Sequence, residues 1–194
     1  MVTVSTSNVD QRAYHHGDLR AALVAAGLHA LESTDISDIS LRGLAREVGV
    51  SATAVYRHFP DKRALLGAMA QAGLAMLGQM QQQAAQAGGD KAFSATGRAY
   101  VRFALANPSL FRLVFTHCEL RGDGLPEGNL AADMLLGSAA KFTGGDKAEA
   151  RRFALQAWAL VHGLAMLMLD GQLPADEALI DQVIDGRSMW GKPS

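Results

Sequence analysis

Cysteine is almost absent: Cys118 stands alone in 194 residues. A single thiol closes no internal disulfide, and no Cys/His pairing falls at zinc-ligand spacing, so the chain suits a reducing, cytoplasmic compartment and implies no metal. Aromatic residues are scarce, at 6%, and no alternating run of β-branched residues exceeds a few positions, which argues against strands. No charge sign dominates. With 18 Lys+Arg against 19 Asp+Glu the net charge is −1, which excludes a uniformly basic nucleic-acid coat but leaves room for a local basic patch. The start, Met1 to Asp10, is polar and lacks the basic segment and apolar run of a secretory signal. What the chain does have is 49% hydrophobic against 19% charged residues, far from the composition of a disordered chain, and enough length for one or two domains. The expectation is an all-α fold of about nine helices.

Apolar spacing places the helices. Leu19, Leu23, Ala26 and Ala30 share one face of a first helix from about Gly17 to Glu32, with Val24, Leu28 and Leu31 adjoining. A Ser-, Thr- and Asp-rich connection follows. Ser40 caps a short helix whose Leu41, Leu44, Ala45 and Val48 fall on one face, Gly49 ends it, and Ser51 caps a third helix that Phe59-Pro60 breaks. A long helix, Asp61 to about Ala87, carries Leu66, Met69, Gly73, Met76 and Met80, and its Gln81–Gln86 stretch reads as a solvated face. Gly88-Gly89-Asp90 marks a turn, and Asn107-Pro108 separates a fifth helix from a sixth. Arg121–Asn129 reads as a loop, and helices near Leu130–Phe142, Asp146–Leu169 and Ala175–Met189 complete the chain. The run Phe153–Leu169 approaches the length of a membrane span, but Gln156 and His162 interrupt it and Arg151, Arg152 and Asp170 bound it closely. It reads as a helix covered by its own core on one side and by a second copy on the other.

The densest local signal is SLRGLAREVGVSATAVYRHFPDK, Ser40 to Lys62. Two short helices about Val48-Gly49-Val50 make a helix-turn-helix whose second helix fits a major groove about 12 Å wide. Thr53 can bond a base edge or phosphate, Ala52 and Ala54 are small enough to approach thymine methyls, and Tyr56 and His58 can donate to phosphate oxygens. Ser40 and Ser51 carry hydroxyls at helix starts, Arg42 can reach a guanine edge, and Arg57, Lys62 and Arg63 add charge. Basic and acidic side chains balance between Met1 and Leu65, so DNA binding requires the cations to be sorted onto one face.

This segment resembles the DNA-binding domain of the TetR family of transcriptional regulators: Leu44-Ala45, Gly49-Val50-Ser51, Tyr56-Arg57-His58-Phe59 and Lys62 match the family pattern. The resemblance implies an arm (1–16), a DNA-binding domain (17–60) and a ligand-binding and dimerisation domain (61–194). It implies a homodimer, joined through the last two helices, that reads a pseudo-palindromic double-stranded DNA operator and is more often a repressor. Tyr56, His58 and Lys62 would hold phosphates, while Arg42 and Ala52–Ala54 face bases. Ala52 and Ala54 offer no hydrogen bonds, which leaves base readout to Arg42, Thr53 and Arg57. The YHHGDLR stretch, Tyr14–Arg20, is similar to the lead-in of a TetR subgroup.

In the C-terminal half, Trp158 and His162 lie one turn apart with Gly163 beside them, and the spacing resembles the WHG motif of some TetR C-terminal domains, as does Asn107–Phe115. Tyr100, Phe103, Phe111, Phe115, Trp158 and Met166 are the large apolar groups available to a small apolar effector, with His162 and His117 as polar anchors. Each equally suits plain core. Gly163 leaves room for close helix approach. Two other readings remain at this level. A helical dimerisation module without DNA binding leaves the Tyr56–Lys62 surface unexplained. A small enzyme using His162, or His117-Cys118-Glu119, lacks a converging constellation, because adjacent helical residues point about 100° apart, and no Gly-rich phosphate loop is present. The sequence therefore implies no catalytic residue and no cofactor.

Overall fold

The computed structural model describes residues 19–117 and 130–184. The expected arm 1–16, Cys118 and Glu119, the stretch 121–129 expected as a loop, Trp190 and the expected end of the last helix lie outside them. The described residues are helical and contain no strand. In order they are α1 (Leu19–Ala30), α2 (Leu41–Val48), α3 (Ala52–His58), α4 (Lys62–Gly88), a 3-10 turn (Gly89–Lys91), α5 (Ala92–Ala106), α6 (Pro108–His117), α7 (Leu130–Phe142), α8 (Lys147–Leu169) and α9 (Glu177–Val183).

Short polar side chains start these helices. The Ser40 hydroxyl accepts from the Gly43 N–H at 3.1 Å and the Ser51 hydroxyl from the Ala54 N–H at 3.2 Å. The carboxylates of Asp61, Asp146 and Asp176 do the same for α4, α8 and α9. Each satisfies one of the backbone donors that a helix N-terminus leaves unpaired. These caps move the sequence-derived starts of α4, α8 and α9 in by one or two residues. The turn of the helix-turn-helix is closed by Gly49 at φ 76°. Its N–H bonds to Arg46 O and that of Val50 to Ala45 O at 2.9 Å, the Schellman arrangement that a left-handed residue permits. Gly88-Gly89-Asp90, read as a plain turn, instead passes α4 into α5 through the 3-10 segment.

At about 1.5 Å per residue, the 27 residues of α4 span roughly 40 Å. Its beginning packs on α1 and the rest on α5, α6 and α7. One continuous apolar cluster results: Leu23, Leu44, Val55 and Phe59 from the first three helices join Leu65, Met69 and Leu77 of α4, then Val101, Phe111, Leu164 and Ile180. Met76, expected on the buried stripe, is 42% exposed, and Leu77 is fully buried in its place. From Gly73 a step of four residues returns nearly to the same face, whereas a step of three falls short of it. Gly73 itself is required by packing, since a Cβ there would lie 2.8 Å from side chains of Leu110 and Val114. The glutamine stretch is only partly solvated: Gln82, Gln83 and Gln86 are exposed, but Gln81 is half-buried and donates to Thr96 O at 3.3 Å.

α8 buries one face, through Ala150, Ala154, Ala157, Leu164, Ala165 and Met168, against α5 and α7. It is long and apolar enough to cross a membrane by length and composition. Its opposite face, with Gln156, Ala159 and Leu167, is exposed in the single chain.

Two glycines test this reading of the backbone. Gly49→Ala places a Cβ in the left-handed region and is expected to lower stability by about 1–2 kcal/mol. Gly67→Ala, mid-helix with nothing within 4 Å of the added Cβ, is expected to raise it by about 0.5–1 kcal/mol. Urea denaturation of the two variants gives both signs.

Candidate nucleic-acid interface and aromatic cluster

α3 divides cleanly between two faces. Val55 and Phe59, four residues apart, are fully buried at 0% and 1% exposure and hold the helix on α1 and α2. Thr53, Tyr56 and Arg57 stand at the i, i+3, i+4 spacing of the opposite face and are exposed, with His58 beside them. Tyr56 is 45% exposed, which leaves a large aromatic with its hydroxyl open to solvent. Ala52 and Ala54, expected to face bases together with Thr53, flank this stripe and are half-buried. Ser51 and Ser40 use their oxygens as caps, which leaves each hydroxyl proton free to donate outward. Arg42, on the first turn of α2, is exposed, as are Arg46, Arg57 and Arg63, and none of these guanidinium groups has an acidic partner among the described residues. These four cations therefore stand at the surface, where they can meet phosphate.

Two contacts brace the unit from behind. The Arg20 guanidinium lies over the Phe59 ring, 5.1 Å from its centroid, a favourable cation–π position. The Lys62 ammonium, expected to point at phosphate, donates to Ser37 O at 2.7 Å.

In the C-terminal half the aromatic candidates converge. His162 stacks on Phe111 with centroids 5.5 Å apart and meets the edge of Phe115 at 4.8 Å. Phe115 reaches Trp158 at 6.2 Å, and Tyr100 packs edge-on against Phe111 at 5.5 Å. Phe103 and Met166 join only through the surrounding apolar core. The polar tips satisfy one another: Trp158 Nε1–H donates to the Tyr100 oxygen at 3.1 Å, and that oxygen lies 2.9 Å from His162 Nδ1. Indole N–H only donates, so the arrangement that uses every group has Tyr100 O–H donating to an unprotonated Nδ1, with the imidazole proton on Nε2. Burial pushes the Tyr100 phenol well above its usual range and holds the His162 imidazole below its ordinary 6.5, so both are neutral at pH 7. His117, the other polar anchor, stays apart and pairs with the adjacent Thr116 hydroxyl at 2.9 Å. Its neighbours Cys118 and Glu119 lie outside the described residues.

Among the described residues nothing lies within 4 Å of where a Cβ at Gly163 would stand. Three groups of residues escaped the sequence reading. Arg102 forks onto Glu177 at 3.0 and 2.6 Å, Arg98 pairs with Asp181, and Arg112 pairs with Asp170. Together they tie α9 and the end of α8 to α5 and α6. Phe93, Phe142 and Phe153 form a second ring cluster between α5, α7 and α8, with centroids 5.2–5.6 Å apart. Gln81 leaves its buried Oε1 without a hydrogen-bond partner among the described residues. Among the described residues no group of three or more His, Cys, Asp or Glu is placed to hold a metal.

Comparison with known proteins agrees with this architecture. Residues 23–69 match the family model described as "Bacterial regulatory proteins, tetR family", and residues 93–186 match "Tetracyclin repressor-like, C-terminal domain". A solved structure of a protein of unknown function from Rhodococcus sp. RHA1 is 33% identical, with a TM-score of 0.72 over 90% of this chain and 93% of that one. The structure of TetR from Acinetobacter baumannii AYE shares the fold at 17% identity, with a TM-score of 0.61 over 87% of this chain and 95% of that one. The helix-turn-helix on a long fourth helix, with a helical body behind it, defines a DNA-binding transcriptional regulator. The chain belongs to the TetR family.

The hydrogen-bond relay makes two measurable claims. Tyr100→Phe leaves the Trp158 N–H and His162 Nδ1 without their partner and should cost about 1–3 kcal/mol in urea denaturation. The imidazole of His162 should titrate below 6.5 in a heteronuclear NMR pH series. Because the unfolded chain then takes up the proton first, its contribution reduces stability as pH falls from about 6.5 through the folded value, and is absent above that window. Titration of His162 at or above 6.5 contradicts the burial argument.

Proposed function

We propose that the protein is a homodimeric repressor of transcription that binds a pseudo-palindromic operator and releases it when a small apolar effector enters its C-terminal half. The observation that carries this reading is the outward stripe Thr53, Tyr56 and Arg57 on α3, beside the cap residue Ser40 and Arg42 of α2, with both guanidinium groups lacking an acidic partner among the described residues. Phosphate contacts from Tyr56, His58, Ser40 and Ser51 fix register on the duplex, with the charges of Arg57 and Lys62 adding to the field. Arg42 and Thr53, flanked by the small Ala52 and Ala54, read bases.

The dimer is supported by the uncovered face of α8. Gln156, Ala159, Gly163 and Leu167 follow the three- and four-residue spacing of one helix face, and the gap at Gly163 suits the close approach of a second copy, with α9 beside it. In the dimer, recognition helices about 34–36 Å apart enter successive major grooves on one side of DNA. The effector site is the aromatic cluster of Tyr100, Phe103, Phe111, Phe115, Trp158, His162 and Met166. The Trp158, His162 and Gly163 spacing supports a body of the WHG type. A ligand there shifts DNA affinity only by its preference for the arrangement that does not fit DNA. A small swing of α4 supplies such an arrangement, because displacement at one end is carried over its full length. The role of His162 is recognition, not catalysis, and the compartment is the cytoplasm.

Fluorescence anisotropy on duplexes selected from random DNA, compared with random duplex, tests the roles. Tyr56→Phe should weaken binding to every sequence alike, by up to about tenfold. Arg42→Ala should relax preference at one base position, a loss of about 1–3 kcal/mol in discrimination. Equal losses on selected and random DNA for both variants contradict the assignment.

A further inference from the structure

The hydrogen bonds on Tyr100 leave one polar atom of the aromatic cluster unclaimed. Trp158 and His162, one turn apart on α8, share the single Tyr100 oxygen of α5: the indole N–H donates to it at 3.1 Å, and it lies 2.9 Å from His162 Nδ1. Indole offers no acceptor, so the hydroxyl proton goes to Nδ1 and the imidazole proton sits on Nε2. Every polar atom within the relay is thereby paired, and Nε2 lies outside it. Nε2 has no hydrogen-bond partner among the described residues. Among those residues the side-chain polar atom that is both unpartnered and sealed from solvent is Gln81 Oε1, so the His162 Nε2–H is free and reachable.

The cluster has a closed side and an open one. Tyr100 and Phe111 are buried at 4% and 0% exposure, whereas Phe115, Trp158, His162 and Met166, from α6 and α8, are half-buried. The imidazole is held at this margin by the stacked Phe111 ring at 5.5 Å and the edge of Phe115 at 4.8 Å. Burial alone lowers its basicity, with no charged neighbour contributing. The result is a neutral donor of fixed direction in an aromatic surround.

We propose that the effector is a neutral, largely apolar molecule bearing a carbonyl oxygen that accepts a hydrogen bond from His162 Nε2–H, and that Tyr100 and Trp158 are positioning residues that keep the proton on that nitrogen. The proposal rests on the effector reading above and narrows it to a ligand class. A hydrocarbon that covers the imidazole strips water from Nε2–H and returns no acceptor, which costs the desolvation of a buried donor. A carboxylate supplies acceptors but gives up the hydration of its charge where no cation compensates it. A ketone or ester oxygen pairs the donor and brings no charge.

The full-length protein is titrated with phenyl alkyl ketones from acetophenone to hexanophenone and with alkylbenzenes and phenylalkanoates of matching length, and its imidazole nitrogens are followed by long-range proton–nitrogen NMR. Free His162 should show the Nε2–H tautomer. Ketones should bind at least about fivefold tighter than the matched alkylbenzenes and at least about tenfold tighter than the phenylalkanoates. His162→Phe, which keeps a ring and loses the donor, should erase the ketone preference. Tyr100→Phe should mix the two imidazole tautomers and lower that preference by about twofold or more, a spectroscopic change that a merely structural role would not produce. Ketones no tighter than alkylbenzenes, tightest binding by the phenylalkanoates, an Nδ1–H tautomer in the wild-type protein, or a ketone preference that survives in His162→Phe overturns the proposal and leaves the effector reading standing. Thermal melting verifies the fold, and His162→Leu carries the same comparison if His162→Phe does not fold. Binding of none of the three series contradicts the effector reading itself, a separate result read before any variant is compared.

Discussion

The structure depends on one helix having to be buried by two different sets of neighbours. α4 is too long for the three-helix unit alone: its beginning packs on α1, and the rest of its buried face packs on α5, α6 and α7. Leu65, Met69 and Leu77 are fully buried along its length and belong to one apolar cluster. A close-packed interior transmits displacement where a loose one absorbs it. The DNA-binding unit therefore has no soft joint to the body. Its recognition helix is fixed by where α4 lies, and α4 is fixed by the body.

The body is built to hold α4 in a defined place. α5 contacts α4, α8 and α9, and the arginines on its outer side grip α9 through Glu177 and Asp181. These pairs are partly solvated, so each contributes little on its own, and their value lies in register more than in stability. Inside, the Trp158, Tyr100 and His162 relay fixes three aromatic side chains in one orientation with their polar atoms paired. A site whose polar groups already satisfy one another resists water and charge, which favours an apolar ligand over a charged one. Under the effector reading proposed above, ligand entry would repack rings that rest on Phe111 and Phe115, both on α6, and α6 packs directly on α4 through Leu110 and Val114 at Gly73. The path from aromatic cluster to recognition helix is short and made of contacts.

The helix-turn-helix was almost fully legible in the sequence because its determinants are local. Ser40, Ser51 and Asp61 cap the helices they were expected to cap or start, Gly49 turns the chain, and the 3.6-residue period separates Val55 and Phe59 from Thr53, Tyr56 and Arg57. Helix-level reading was weaker where burial depends on several neighbours at once. Met76 and Leu77 exchange places because a pattern of threes and fours drifts along 27 residues. The Arg98, Arg102 and Arg112 pairs span 83, 75 and 58 residues, distances to which no local spacing rule applies. Five of the seven effector-site candidates converge in ring contact, yet no local spacing marks Tyr100 as the bridge between Trp158 and His162. The Lys62 ammonium donates to Ser37 O, another contact across 25 residues that no local spacing rule marks.

The central claim is that α4 makes the DNA-binding unit and the body one cooperative structure. Native-state hydrogen exchange, followed amide by amide along Lys62–Gly88 in increasing denaturant, tests it most directly. The account predicts that amides near Leu65–Met69 and near Leu74–Leu77 exchange through one opening, at the free energy of global unfolding. Opening of α1–α3 together with the first turns of α4 at a distinctly lower free energy, while the remainder of α4 stays protected, would contradict it.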